Sequence, residues 1–288
     1  MQFTMISIVL RNITYVSDRV VDGTGLQNQQ AKASQGFESS LACMKYLIGI
    51  QPTGKIHIGN YLGCLKKGLE LQEQGHDVTF LIANYHSMTT DNFSDETEKE
   101  LIRLGCKNIK RQTPEYTELF FKLCCKVNLG TLLKMPQYKD KKDSVEYDMG
   151  LMLYPVLMAA DIIMNDPDVV IVGKDQVAHL ELCNDIAKRV GGRHYDYEFG
   201  HVDKIMSLID PDKKMSKSFG EKHVLYLFDE DYFGKLKKAN MNEEGLKNIH
   251  LIGTSLGLDC NKFSLNLQLK EAIAEKMQEL FSEKKIYL

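Results

Sequence analysis

The chain has 288 residues, 43% of them apolar and 26% charged, ordinary values for a globular protein. A net charge of −3 excludes a surface that is basic throughout, so any nucleic-acid partner would meet a local basic patch. Seven cysteines without C-x-x-C spacing argue against a disulfide framework or a zinc knuckle, and no apolar run approaches the roughly 18 residues of a membrane span.

In chain order, residues 1–43 differ from the rest. Met5–Leu10 is too short for a signal-peptide core, and Val20–Ser40 is rich in Gln, Gly and Ser without period. This stretch is expected to be a disordered extension ahead of a fold that starts at Met44. A transit peptide would make the protein organellar; Asp18, Asp22 and Glu38 argue against one and leave the cytoplasm. Tyr46–Ile50 reads as a buried strand, Gln51-Pro52-Thr53-Gly54 breaks it, and a helix follows from about His57 to Gln74. Val78–Ile82 reads as the next strand. Strand, helix, strand with short turns is a βαβ unit, hence an α/β fold with a Rossmann-like parallel sheet flanked by helices. Ligands of such sheets sit beyond the carboxyl ends of the strands, where Gln51, His57, Asn84 and His86 fall. From Asp95 to Val127 the pattern predicts helix, divided at Pro114, and the Leu119, Phe120, Leu123, Val127 stripe suits core or a subunit contact. Lys134, Lys139, Lys141 and Lys142 form a basic connector. A helix is expected over Tyr147–Asn165, kinked at Pro155, then a β-branched strand at Val169–Val172 and a helix over Val177–Arg189. Beyond residue 220 two or three helices fit, over Asp229–Lys238, Glu243–Ser255 and Leu267–Ser282.

Two motifs carry chemistry. His57-Ile58-Gly59-Asn60 opens the first helix, where free backbone N–H groups favour an anion and a glycine lets a nucleotide approach the backbone. Lys214-Met215-Ser216-Lys217-Ser218 offers cations and hydroxyls suited to a polyphosphate that must be gripped and released. Taken alone, the first reads as a structural histidine and the second as a solvated basic turn.

Together, the two motifs resemble the signature pair of class I aminoacyl-tRNA synthetases. The text between them resembles the bacterial-type tryptophanyl-tRNA synthetases: Gly49–Gly54, Ile58–Gly63, Tyr154–Ile162, Val172–Gln176, Ile205–Leu208 and Asp210-Pro211. The resemblance implies a catalytic Rossmann domain over 44–220 and a reduced helical tRNA-binding domain over 221–288. It implies ATP with Mg2+, tryptophan and tRNA(Trp) as substrates and partners, a homodimer, and no membrane. His57 and Asn60 would hold the ATP phosphates, Gly59 would make room for the adenosine, and Lys214, Ser216 and Lys217 would close over the pyrophosphate, assisted by Lys141. Asp175 would accept from the ribose. Gln51, Thr53, Gly173, Met215 and Ser218 complete the implied nucleotide site. Asp161 would accept the indole N–H in a slot made by Met158, Ile162, Val170 and Val172; Gln176, Gln51 and Tyr154 would orient the polar end of the amino acid, and Gly49 and His86 would line the same site. The chain departs from the family pattern at Lys174 and Asn84, where acids are usual, at Ile171, where proline is usual, and in its short tail. Two other readings stay open on the sequence: a tyrosine–tRNA ligase, in which glutamine commonly replaces Met158, and a degenerate paralogue that binds nucleotide or RNA without charging tRNA.

Overall fold

Strand β1 (Lys45–Ile50) buries Tyr46, Leu47 and Ile48 in succession, as a strand covered on both faces must. The structure, a computed structural model, describes residues 43–89, 93–141 and 149–282; the side chains of Gln137, Asp140 and Lys141 are not among what it describes. The expected extension over 1–43 lies, Cys43 apart, outside these residues, as do Lys142 of the basic connector and the predicted helix start at Tyr147.

After β1 the chain enters α1 (Ile58–Asn60), a π-helical turn at Tyr61–Leu65, and α2 (Lys66–Glu73). Then come β2 (Asp77–Ile82), α3 (Asn84–Ser87), α4 (Glu96–Leu104), β3 (Asn108–Arg111), α5 (Pro114–Cys124), α6 (Leu129–Leu132) and α7 (Pro136–Lys141). The second half holds α8 (Met149–Asn165), β4 (Val169–Val172), α9 (Val177–Arg189), β5 (Asp196–Phe199), α10 (Tyr232–Lys237), α11 (Glu243–Ser255) and α12 (Asn266–Ser282). The five strands pair in parallel in the order β3-β2-β1-β4-β5. The strand order reverses between β1 and β4, so a crevice opens beyond their carboxyl ends.

Alternation along the strands splits the core in two. Ile48 and Phe80, both fully buried, face α2 and α4; Leu47, Leu81 and Val170 face α5, α8 and α9. Each fully buried side chain of this kind contributes about 2–3 kcal/mol. The first cluster runs on into the tail through Leu236, Ile249, Ile273, Met277 and Phe281, with Phe281 edge-on to Tyr61 at 5.1 Å.

Two strands depart from the expected pattern. The stretch Asp95–Val127, read as helix, contains β3, and β5 follows α9 unannounced. Both are edge strands of four residues without an apolar run, because only one side of each pairs and much of each is exposed. The Leu119–Val127 stripe packs inward against the second cluster, with Leu123 fully buried. Pro155 lies buried inside α8.

Gly200 meets the π-helical turn so closely that a Cβ there would stand 1.6 Å from the Gly63 carbonyl oxygen. Gly200→Ala is expected to cost about 2 kcal/mol, because backbone rather than a flexible side chain must yield. A thermal melt should show the midpoint fall by about 5 °C; an unchanged midpoint would contradict the contact.

Candidate active site

The crevice between β1 and β4 holds a cavity of about 620 Å³. Gln51, Thr53, His57, Gly59 and Asn60 form one wall, Gly173 and Asp175 a second, and Lys214–Ser218 a third. The sequence places the first wall more than a hundred residues before the other two; the fold brings all three together.

His57 caps α1. Asn60 N–H donates to His57 Nδ1 and His57 N–H donates to Asn60 Oδ1, both at 3.3 Å. Nδ1 therefore accepts, and the ring proton sits on Nε2, free to donate to a ligand oxygen. Burial, reinforced by Lys217 and Lys214, pulls the imidazole down to about 3, so it is neutral at physiological pH. A Cβ on Gly59 would stand 3.0 Å from the His57 ring, so this glycine also makes room for the histidine.

Lys217 Nζ donates to the Thr53 carbonyl (3.2 Å) and to Thr53 Oγ1 (3.1 Å), joining the lysine–serine loop to the turn after β1. Burial lowers its ammonium to about 8, with Glu100 opposing. Lys214 Nζ lies 3.8 Å from Asp175 Oδ2. Burial opposes ionisation of Asp175, but the Gln176 hydrogen bond and the Lys214 charge outweigh it and leave the carboxyl below its ordinary value. Ser216 Oγ accepts from Ser218 N–H at 3.4 Å and caps the short turn Lys217–Phe219. Met215, 3% exposed, packs its side chain into the core and pins the loop. Lys174 Nζ pairs with Asp203 Oδ2 at 2.5 Å on the cavity rim. The Lys141 side chain is not among those described.

A second cavity, about 460 Å³, adjoins the first, and Gly49, Gln51, Cys64 and Gly173 line both. Met158, Ile162, Val170 and Val172 give it apolar walls, with Leu47 and Leu81 completing them. Tyr154, His86, Asp161 and Gln176 supply its polar groups. Asp161 is buried, and each of its carboxylate oxygens is held: Gln112 Nε2 donates to Oδ1 at 2.5 Å, and His86 Nε2 lies 3.0 Å from Oδ2. Gln112 is fixed in turn by Tyr85 N–H, which donates to its Oε1 at 2.7 Å. At the other end His179 Nδ1 donates to Gln176 Oε1 (2.8 Å), Tyr154 O–H donates to His179 Nε2 (3.1 Å), and Gln176 Nε2 donates to Asp175 Oδ2 (2.9 Å). Burial holds His179 down at about 4, so its ring stays neutral. A chain of hydrogen bonds thus runs from one cavity to the other.

A family model, tRNA synthetases class I (W and Y), matches residues 41–286. The chain belongs to this family. A tryptophan–tRNA ligase of Helicobacter pylori strain J99 is 34% identical over 266 residues, 82% of this chain and 79% of that protein. A tryptophan–tRNA ligase of Mycoplasma genitalium is 32% identical over 280 residues, 83% of this chain and 79% of that protein. The crystal structure of tryptophanyl-tRNA synthetase from Mycoplasma pneumoniae superposes with a TM-score of 0.70 at 30% identity, covering 84% of this chain and 86% of that one. The Campylobacter jejuni enzyme, solved with ADP and tryptophan, gives 0.67 at 26% identity, over 84% and 87% of the two chains.

Gln112 and His179 of this synthetase escaped the sequence reading. Gln112 stands one residue past an edge strand that carries no apolar signal, and its partner Asp161 lies 49 residues on. Removing it would strip a donor from a buried carboxylate, at a cost of about 1–3 kcal/mol. Gln112→Ala is expected to raise the KM for the amino acid about tenfold and leave the KM for ATP unchanged, a split that steady-state pyrophosphate exchange would read.

Proposed function

We propose that the chain is a tryptophan–tRNA ligase: it activates tryptophan with ATP and passes the acyl group to tRNA(Trp). The observation that carries the reading is Asp161, a buried carboxylate with both oxygens anchored, set in an apolar slot that opens onto a cavity built for phosphates. A carboxylate has lone pairs to spare beyond those two bonds and accepts an indole N–H; phenylalanine would leave it short of that partner.

In the first step a tryptophan carboxylate oxygen bonds to the α-phosphorus, the bond from that phosphorus to the bridging oxygen breaks, and pyrophosphate leaves. The chain supplies position and charge rather than a covalent intermediate. The His57 Nε2–H donates to phosphate oxygen, and the Lys214 and Lys217 ammonium groups stabilise charge on the leaving pyrophosphate. Asp175 accepts from the ribose once Lys214 turns to the phosphates. Gln176, held by His179, orients the amino acid. In the second step a ribose hydroxyl at the tRNA 3′ end attacks the acyl carbon and AMP leaves.

Among the described residues no three His, Cys, Asp or Glu side chains converge to hold a metal. Mg2+ fits the site as an ion carried by phosphate oxygens and water, where it would neutralise charge on ATP. No described helix is long and apolar enough to cross a membrane. All seven cysteines are free, which supports a cytoplasmic location. Phe121 on α5, 70% exposed, and Leu129 on α6, 60% exposed, leave apolar side chains at the surface that would suit a homodimer contact. The helices α10–α12 of the tail would serve tRNA.

Exchange of pyrophosphate into ATP tests the reading. Tryptophan should drive it and tyrosine should not, and Asp161→Ala should lose about a hundredfold or more in kcat/KM for tryptophan. Equal exchange with both amino acids, or with neither, would contradict it.

A further inference from the structure

The turn Gln51–His57 is gripped from below by α4 and the residues leading into it. Ser94 N–H donates to the Pro52 carbonyl (2.8 Å), Thr97 Oγ1 donates to the Gly54 carbonyl (2.7 Å), and Ile56 N–H donates to Glu100 Oε2. Three positions spaced by three, one acting through its backbone and two through their side chains, hold three alternate residues of the turn. Of these only Glu100 brings a charge, and it is 5% exposed. A buried carboxylate costs free energy that a leucine of similar size would not, so its presence requires something for it to hold.

We propose that Glu100 is a positioning residue of the phosphate site: its carboxylate fixes the Ile56 N–H, and with it the His57 imidazole, and supplies the buried negative charge that faces the Lys217 ammonium before ATP arrives. The proposal rests on the ligase reading for its assay. Around Glu100 stand Glu96 on its own helix, Lys55 on the turn, Lys217 on the lysine–serine loop, and Tyr226 and Tyr232 from the segments packed beneath. Burial raises Glu100 to about 7, against the Ile56 hydrogen bond and the two lysines. Burial lowers Lys217 to about 8, and the Glu100 charge is what opposes that fall. The two shifts act in opposite directions, Glu100 upward and Lys217 downward, and so narrow the pH range in which both groups are charged. Below it Glu100 takes up a proton; above it Lys217 gives one away.

Glu100→Gln keeps an acceptor for Ile56 N–H and removes the charge. Its kcat/KM for ATP in pyrophosphate exchange, followed from pH 6 to 9.5, should lose the acid limb that Glu100 supplies. The alkaline limb should move to lower pH, because Lys217 loses its buried counter-charge. At pH 8 the value should fall about tenfold, with KM for tryptophan unchanged and the thermal midpoint not lowered. Glu100→Ala, which removes acceptor and charge together, should fall further. Calorimetric ATP binding over the same pH range reads the same shift without turnover. If wild type binds ATP but exchanges no pyrophosphate, the ligase reading fails and the binding profiles still decide this proposal. Superimposable wild-type and Glu100→Gln profiles would overturn it.

Discussion

A polar turn at the end of a buried strand keeps its shape only if its backbone groups find partners. The turn from Gln51 to His57 meets that constraint from three sides. From α4 come the bonds to Pro52, Gly54 and Ile56. From the tail, Leu227 N–H donates to the Ile56 carbonyl (2.9 Å) and Ile58 N–H to the Leu225 carbonyl (2.8 Å). From the lysine–serine loop comes Lys217 on Thr53. Three distant parts of the chain therefore set the position of one imidazole. A histidine at an open helix end would gain and lose protons near neutrality; here burial between these supports keeps it neutral, a donor through Nε2 alone.

The two cavities are joined by more than proximity. The hydrogen bonds Tyr154–His179–Gln176–Asp175 connect the cavity that holds Asp161 to the cavity that holds His57, and Lys214 stands 3.8 Å from the last member. Filling one cavity can thus bias groups that face the other, because each donor in the chain fixes the orientation of its neighbour.

The legible part of the sequence was local. β1, β2 and β4 announce themselves as apolar runs, and α9 and α11 match their expected bounds because polar turns frame them. Many residues that line the two cavities were legible because short motifs hold several of them in a row: His57 to Asn60, Lys214 to Ser218, Met158 to Ile162. The illegible part lies in partners far along the chain. Gln112 and Glu100 leave no motif, since their roles exist only once an edge strand and a short helix are placed beside β1. The edge strands β3 and β5 are four residues long and largely exposed, so the apolar run that marks a covered strand is absent from them. The cation Lys174, a departure from the family pattern, is seated by Asp203, 29 residues away.

The account turns on one geometric claim, that a single crevice presents Asp161 to an indole and His57 to phosphates. A crystal structure of the protein with tryptophan and a non-hydrolysable ATP analogue tests it most directly. The account predicts the indole nitrogen within about 3 Å of an Asp161 oxygen, and a phosphate oxygen at the same range from His57 Nε2. An indole ring seated outside the Met158–Ile162 slot, or phosphates bound away from His57 and Lys217, would contradict it.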